Sequence, residues 1–211
     1  MSNYKIYDYQ AAPNPRRVRV YIAEKGLTDQ VEYVEVDITQ GAHKHEAFIA
    51  KNMNGQIPVL ELADGTCISE SIAICRYFEQ VFPEPSLFGQ SAEDIARIEM
   101  HHRRIELQLA RSIGTSWVNG PVVAKVAAGR FEQIPQAKEQ SDAATHAYYK
   151  RLDRELGERA MMAGDNFSVV DITAMCMIDF AATLVGLPPS PELENLARWR
   201  AEVAARPSAR A

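Results

Sequence analysis

The sequence has few cysteines and none of the spacings that cysteine chemistry requires. Its three cysteines, Cys67, Cys75 and Cys176, form no Cys-x-x-Cys pair, and their odd number argues against a disulfide framework. The absence of such a framework suits a reducing compartment. Because each cysteine lies in an apolar pattern, we predict that all three are inert core thiols.

The chain also lacks the long apolar segments that membrane insertion and secretion require. No apolar run reaches the roughly 18 residues of a membrane-spanning helix, and the N-terminal sequence MSNYKIYDYQ has no apolar signal core. A net charge of −5 at pH 7 argues against nucleic acid as the main partner. These absences predict a soluble, cytoplasmic protein with neither a membrane nor a nucleic-acid partner.

Histidine is scarce, and its five occurrences do not suggest a metal site. His43 and His45 are close in sequence, but no third candidate ligand lies near them, whereas zinc sites need at least three protein ligands. His101 and His102 are neighbours on a predicted helix and point in different directions. His102 falls on the apolar stripe of that helix, so we expect it to be packed or to line a pocket. We therefore predict no metal cofactor.

Apolar residues are plentiful enough for a packed core, since 46 % of the 211 residues are hydrophobic and 24 % are charged. Residues 1–81 follow the order strand, helix, strand, short helix, two strands and helix, and their opening predicts a right-handed parallel crossover. The proline-rich residues 82–90 are a linker. Residues 91–211 are helical in pattern. The predicted fold class is therefore α/β followed by all-α.

Two features organise the predicted helical part. Apolar residues from Ile95 to Ile113 step by three and four, which predicts one long amphipathic helix with Ile95 on its apolar face. Ser168 and Asp171 form a variant of the capping box that begins an apolar helix extending through Leu184. We expect these two capping residues to serve folding rather than chemistry.

One stretch of the α/β part carries two candidate anchors for a small peptide. Residues 54–60, Asn-Gly-Gln-Ile-Pro-Val-Leu, form a turn and a proline-entered strand, and Ile57–Pro58 is a candidate cis peptide because only X-Pro bonds adopt cis at low cost. We expect the Ile57 N–H and C=O to face outward, where an extended peptide can pair with them. Ser69 is the predicted N-cap of a helix opened by Glu70 and Ser71, whose free N–H groups suit a carboxylate.

These segments in this order resemble the cytosolic glutathione S-transferase family, bacterial type, in which a thioredoxin-like N-terminal domain precedes a helical-bundle C-terminal domain. The resemblance covers essentially the whole chain. It rests on Ser168–Asp171 together with four segments of the first domain: Ala12–Arg19, Gly41–Lys44, Asn54–Leu60 and Ser69–Ser71. It implies a glutathione-binding domain over residues 1–81, an all-helical domain over 91–211 that forms the electrophile pocket, and a homodimer.

The resemblance also implies a role for each matching residue. The Ile57 backbone, before Pro58, would pair with the cysteinyl part of glutathione, and Glu70 and Ser71 would hold its γ-glutamyl end. The glycyl end would be bound by His43, Lys44 and Gln56. The chemistry of these residues agrees, because a hydroxyl and helix N–H groups suit an anion, a glutamate suits an ammonium and a lysine suits a carboxylate.

The chain departs from the family at the thiol-activating residue. Serine-type members carry a hydroxyl where this chain has Ala12, the tyrosine-type position falls on Asp8, and no cysteine lies between residues 8 and 19. Half ionisation at pH 7 of a thiol with a pKa of about 8.5 needs about 2 kcal/mol, which a helix N-terminus and nearby cations can supply. We hypothesise that Asn14 replaces the hydroxyl, in addition to capping the helix that Pro15 begins.

The implied function is that of a detoxification enzyme: a glutathione transferase that ionises the thiol of its co-substrate glutathione and adds it to an electrophile. The second-substrate pocket would involve three residues of the first long helix: His101, Ile105 and Ile113. Two alternatives stay open, a glutathione-dependent reductase, peroxidase or isomerase on the same scaffold and a non-catalytic glutathione-binding protein. Retention of the glutathione-contacting residues counts against a pure scaffold that only kept the fold, since such a protein has no need of them.

Overall fold

The computed structural model describes residues 4–126 and 132–211. They form two compact units, one made of the described residues up to Leu87 together with Pro207–Ala211, and the other made of those from Phe88 to Arg206. The chain-terminal segment, which we assigned to the helical domain, thus belongs with the first unit. No helix in the described ranges is both long enough and apolar enough to cross a bilayer.

The first unit is built on a four-stranded sheet with the order β2-β1-β3-β4. β1 is parallel to β2 and antiparallel to β3, and β3 is antiparallel to β4. The predicted parallel crossover is present, and β3 and β4 form a hairpin with Gly65 at φ 85° in its turn. The strands are β1 (Tyr4–Asp8), β2 (Val31–Glu35), β3 (Val59–Leu62) and β4 (Cys67–Ser69).

Helices cover both faces of this sheet. Ile6 and Leu60, paired in the sheet register, are fully buried on the face where α1 and α3 pack together. On the other face the short α2 contributes Phe48 to a buried cluster with Val36 and Val59, which we call the α2 cluster. The helical elements are α1 (Pro13–Glu24), α2 (Glu46–Ile49), α3 (Ser71–Val81) and the 3₁₀ turns Thr28–Gln30, Ala42–Lys44 and Pro207–Arg210.

The returning turn Pro207–Arg210 packs along α1. The Arg16 guanidinium donates to the Ala209 carbonyl at 3.1 Å, near the start of the helix. The Ser208 hydroxyl donates to the Glu24 carboxylate at the last residue of the helix. The two contacts therefore hold α1 near both of its ends.

The structure corrects both predicted N-caps of the first unit. α1 begins at Pro13 with Ala12 as N-cap, so Asn14 lies inside the first turn, because Pro13 suits the first helical position as well as Pro15 does. α3 begins at Ser71 with Glu70 as N-cap. Ser69 cannot cap it because it still pairs with β3 as the last residue of β4.

In the described ranges, the elements of the second unit are helices, apart from an isolated β-bridge between Met161 and Gly164. The predicted long helix is continuous from Ala92 to Val118 and contains a π-helical segment, Ile105–Ala110. Ile95, however, is 42 % exposed, so its placement on the buried face was wrong. The helices are α4 (Ala92–Arg104), α5 (Arg111–Val118), α6 (Pro121–Val126), α7 (Pro135–Leu156), α8 (Val169–Phe180, continued by a π-helical segment Ala181–Val185) and α9 (Glu194–Ala204).

Asp171 links three segments of this helical unit. It completes the predicted capping box of α8 by accepting the Ser168 N–H at 2.9 Å, while the Ser168 side chain caps the helix in return. Its other oxygen accepts the Met162 N–H and the Trp199 indole N–H of α9, both at 2.8 Å. Because Asp171 and Trp199 are fully buried, these bonds lie within the core of the unit.

Candidate functional site

One end of the sheet brings together the segments singled out in the sequence. Tyr7 pairs with Val59, and Val59 pairs with Ser69, so the last residues of β1 and β4 lie beside the start of β3. The loop to α1, the Ile57–Pro58 peptide and the start of α3 therefore leave the sheet at the same end. The chain that leaves β2 does so as well, because the Val36 N–H donates to the Asp8 carbonyl at 2.7 Å.

The Ile57–Pro58 peptide is cis, as predicted. The loop before it is internally bonded, since the Gln56 carbonyl accepts from the Asn52 amide at 2.7 Å and the Gly55 N–H donates to the Asn52 carbonyl at 2.8 Å. By contrast, no hydrogen bond among the described residues uses the Ile57 N–H or C=O. The Ile57 side chain packs against the α2 cluster. Its backbone donor and acceptor are therefore available to an extended peptide.

Lys44 is tied to the same loop. Its ammonium donates to the Gly55 and Asn54 carbonyls at 2.9 and 3.2 Å, which leaves a third donor for a ligand carboxylate. A Cβ on Gly55, whose φ is 54°, would lie 2.7 Å from the His43 carbonyl oxygen and 3.0 Å from Lys44 Nζ. Glycine at this position thus permits the close approach of the His43–Lys44 turn. The Gln56 side chain is exposed beside it.

The start of α3 presents groups of both signs. The first backbone bond there runs from the Ile74 N–H to the Glu70 carbonyl at 3.0 Å, and within the described residues the N–H groups of Ser71 and Ile72 have no acceptor. These donors suit a carboxylate, which the helix dipole also favours. The neighbouring Glu70 is exposed, so its carboxylate can take an ammonium. Together, these N–H groups and Glu70 can hold a carboxylate and an ammonium that lie at the same end of a ligand.

The start of α1 presents one backbone donor that has no acceptor in the part of the chain the structure describes. The Ala12 N–H donates to the Tyr9 carbonyl at 3.0 Å, and the Arg16 N–H donates to the Ala12 carbonyl at 3.2 Å. Pro13 and Pro15 have no N–H, so the donor left in this turn is that of the exposed Asn14. Ala12 itself offers no hydroxyl.

Asp8, at the tyrosine-type position, forms a buried ion pair with Arg19 at 2.6 Å. Burial raises the pKa of Asp8, although the guanidinium opposes the rise. Arg19 also donates to the Gln10 carbonyl at 2.9 Å, which anchors the loop that leads to Ala12. Tyr7 lies on the other face of the sheet, against the α2 cluster, and donates to Glu61 at 2.8 Å. Asp8 and Tyr7 therefore have structural partners.

The sequence reasoning missed Arg17 as a site residue. Arg17 lies on α1 and donates to the Ser71 hydroxyl oxygen at 2.8 Å, and both side chains are buried. The sequence contained a signal for a buried polar contact of Arg17, because Arg17 and Arg19 flank Val18 on a helix whose apolar residues face the sheet. Two arginines on a largely buried stretch need polar partners inside the domain.

The three proposed second-substrate residues lie inside the helical unit. His101, Ile105 and Ile113 are all buried, with exposures of 8 %, 2 % and 0 %. Burial, with the positive charges of Arg159 and Arg104, lowers the pKa of His101 to about 4. His102 is packed, as predicted, with its Nε2 at 3.0 Å from the Thr173 hydroxyl.

The lowered pKa of His101 predicts a pH-dependent loss of stability. The unfolded histidine titrates near 6.5 and the folded one near 4, so the fold favours the neutral ring. The contribution is complete above about pH 6.5 and is lost as the pH falls toward 4. Urea unfolding measures the free energy of unfolding at pH 7 and at pH 4.5. The drop between the two pH values should be smaller in His101→Gln than in the parent, and the difference should be on the order of 1 kcal/mol. The exposed His146→Gln should behave as the parent, and equal losses in all three proteins would contradict the prediction.

Comparisons with known proteins show the family of this chain. The family model for the N-terminal domain of glutathione S-transferases matches residues 11–81, and the model for the C-terminal domain matches residues 120–207. Glutathione S-transferase 2 of Saccharomyces cerevisiae is 37 % identical over 207 residues, which cover 96 % of this chain and 86 % of that protein.

Solved structures give the same result. A glutathione S-transferase domain-containing protein of Marinobacter aquaeolei has a TM-score of 0.87 and 39 % identity, covering 97 % of this chain and 98 % of its own. Gtt2 of Saccharomyces cerevisiae has a TM-score of 0.90 and 34 % identity, covering 98 % of both chains. Since the matches extend over both units, the chain belongs to the glutathione S-transferase family.

Proposed function

We propose that this protein binds glutathione along the end of the sheet described above and conjugates its thiol to small electrophiles. The observation that supports this most is the Ile57 backbone, whose N–H and C=O have no partner among the described residues and which lies at the same end of the sheet as the start of α3. Glutathione is an extended peptide with two carboxylates and one ammonium, and the site offers a complementary group for each.

Each part of glutathione has a place in this proposal. The cysteinyl backbone pairs with Ile57, next to Pro58, and the γ-glutamyl carboxylate receives hydrogen bonds from Ser71 and the start of α3. The γ-glutamyl ammonium pairs with the exposed Glu70. The glycyl carboxylate is bound by the third donor of Lys44 and its neighbours, His43 and Gln56.

Thiol activation falls to the first turn of α1. Ala12 occupies the position of the serine-type hydroxyl, and Asn14 carries the free backbone N–H of the turn as well as a side-chain amide. Both groups can donate to a thiolate, and the helix N-terminus lowers the pKa of a nearby thiol. We assign the role of the missing hydroxyl to Asn14.

Replacing Asn14 with alanine is expected to raise the pKa of the bound glutathione thiol by about 1, because one donor to the thiolate is lost. At pH values below that pKa, kcat/KM should fall about tenfold, because a smaller fraction of the thiol is ionised. Thiolate absorbance as a function of pH measures the first effect, and conjugation rates measure the second. The affinity for glutathione should change little. Adding Ala12→Ser should restore part of the rate, since it supplies the serine-type hydroxyl. An unchanged thiol pKa and unchanged turnover in Asn14→Ala would disprove the assignment.

The second substrate belongs to the proposal as well, with His101, Ile105 and Ile113 as the helical-unit residues that affect it. Turnover of a panel of electrophiles, peroxides and isomerisable substrates with glutathione distinguishes conjugation from the reductase, peroxidase and isomerase alternatives. Retention on immobilised glutathione without turnover of any panel member would favour a non-catalytic binding protein. Failure to bind glutathione would contradict all of these functions.

A homodimer and a cytoplasmic location are further parts of the proposal. The long helix exposes four large apolar side chains, Ile95, Met100, Leu107 and Val118, which a second copy could cover. The three cysteines form no disulfide among the described residues, which suits a reducing compartment. Light scattering of the purified protein tests the dimer, and the mass of a single chain would contradict it.

A further inference from the structure

The contact between Arg17 and Ser71 determines what the Ser71 hydroxyl can do. A guanidinium has donors and no acceptor, so the 2.8 Å bond from Arg17 uses the Ser71 oxygen as acceptor. The hydroxyl hydrogen of Ser71 is therefore still available to donate. No protein acceptor receives it among the described residues, although Ser71 is only 6 % exposed. A buried hydroxyl of this kind calls for an acceptor from outside the protein, which a bound carboxylate can supply.

Arg17 also places positive charge where the helix already has it. The first N–H groups of α3 carry the positive end of the helix dipole, which favours anions and disfavours cations. Arg17 is 3 % exposed and contacts the first residue of that helix, so solvent screens it little. An anion bound at the start of α3 would interact favourably with both positive groups.

We propose that Arg17 is a positioning residue for the γ-glutamyl carboxylate of glutathione. It fixes the Ser71 oxygen so that the hydroxyl hydrogen points to the ligand, and it adds charge that strengthens each hydrogen bond to the carboxylate. This inference rests on the proposed function, in which Ser71 and the start of α3 hold that carboxylate. Arg17, a residue of α1, thereby determines the preference of the start of α3 for a ligand that carries this carboxylate.

A ligand that lacks only this carboxylate tests the role. We would measure by calorimetry the affinities of the full-length protein for glutathione and for 4-aminobutyryl-cysteinyl-glycine, which is glutathione without the α-carboxylate. The parent should prefer glutathione at least tenfold. Arg17→Gln should bind glutathione about tenfold more weakly than the parent, while its affinity for the analogue stays within about twofold. The preference for the carboxylate should therefore disappear.

The controls separate positioning from folding. Arg16→Gln removes the same charge at the adjacent position, where the side chain bonds the Ala209 carbonyl, and it should retain the preference. If Arg17→Gln does not fold, Arg17→Lys decides the question, because lysine lacks the planar fork and should lower the preference at least threefold. An equal loss for both ligands, or an unchanged preference in Arg17→Lys, overturns the inference. A parent protein that binds neither ligand, or both equally, contradicts the proposed function instead.

Discussion

Replacing Glu70 with glycine is expected to stabilise the fold by about 1 kcal/mol and to weaken glutathione binding by about a hundredfold. Glu70 has φ 69° and ψ 113°, a conformation that costs an L residue about 1 to 3 kcal/mol and costs glycine little. The greater freedom of glycine in the unfolded chain offsets part of this gain. In the proposed function the substitution also removes the partner of the ligand ammonium, a charge-assisted bond worth about 2 to 3 kcal/mol.

Two measurements on the same preparation test this trade-off. Urea unfolding gives the free energy of unfolding, and calorimetry gives the glutathione affinity. Glu70→Gln is the matched control, because it keeps the strained backbone and removes only the charge, so it should weaken binding without a gain in stability. A Glu70→Gly protein less stable than the parent would show that the positive φ carries no strain. Unaltered glutathione affinity in both variants would remove Glu70 from the site.

Asp171→Asn is expected to destabilise the protein by about 3 kcal/mol. Both carboxylate oxygens accept hydrogen bonds from buried N–H groups, those of Met162 and Trp199 on one side and that of Ser168 on the other. An asparagine of the same shape must turn its NH₂ group toward one of these donors. The facing donors then lose their acceptor, and each buried unsatisfied group costs about 1 to 3 kcal/mol.

Chemical unfolding followed by tryptophan fluorescence measures this loss, since Trp199 is one of the donors. The exposed Asp165→Asn, in the same connection between α7 and α8, removes the same charge without a buried partner. It should change the free energy of unfolding by less than about 0.5 kcal/mol. A similar small change in Asp171→Asn would mean that the carboxylate does not hold the three segments together.

The elements that the sequence predicted well are those specified by local patterns. The strand-helix-strand opening, the Ile57–Pro58 cis peptide and the Ser168 capping box each depend on residues close together in the chain. Ser69 was misassigned because a serine before a helix signals a cap, and nothing local shows that sheet pairing extends to it. Likewise, the hydrophobic period of the long helix did not show that its first turn is solvated at Ile95.

Long-range contacts account for the part of the site that could not be predicted. The sequence predicts Ser71 as a ligand-binding residue from its place at the start of a helix, but its partner Arg17 lies on another helix, 54 positions away. The register of β1, β3 and β4 brings those helices together, and no local pattern encodes that register. For the same reason, the use of Asp8 as the buried partner of Arg19 became evident only in the folded domain.

The turn Pro207–Arg210 has a practical consequence for how this protein is handled. In chain topology the helical unit is an insertion, because the first unit resumes at Pro207 after Arg206. A fragment that ends at Leu87 would lack the contacts of Ala209 and Ser208 with α1, the helix whose first turn we assign to thiol activation.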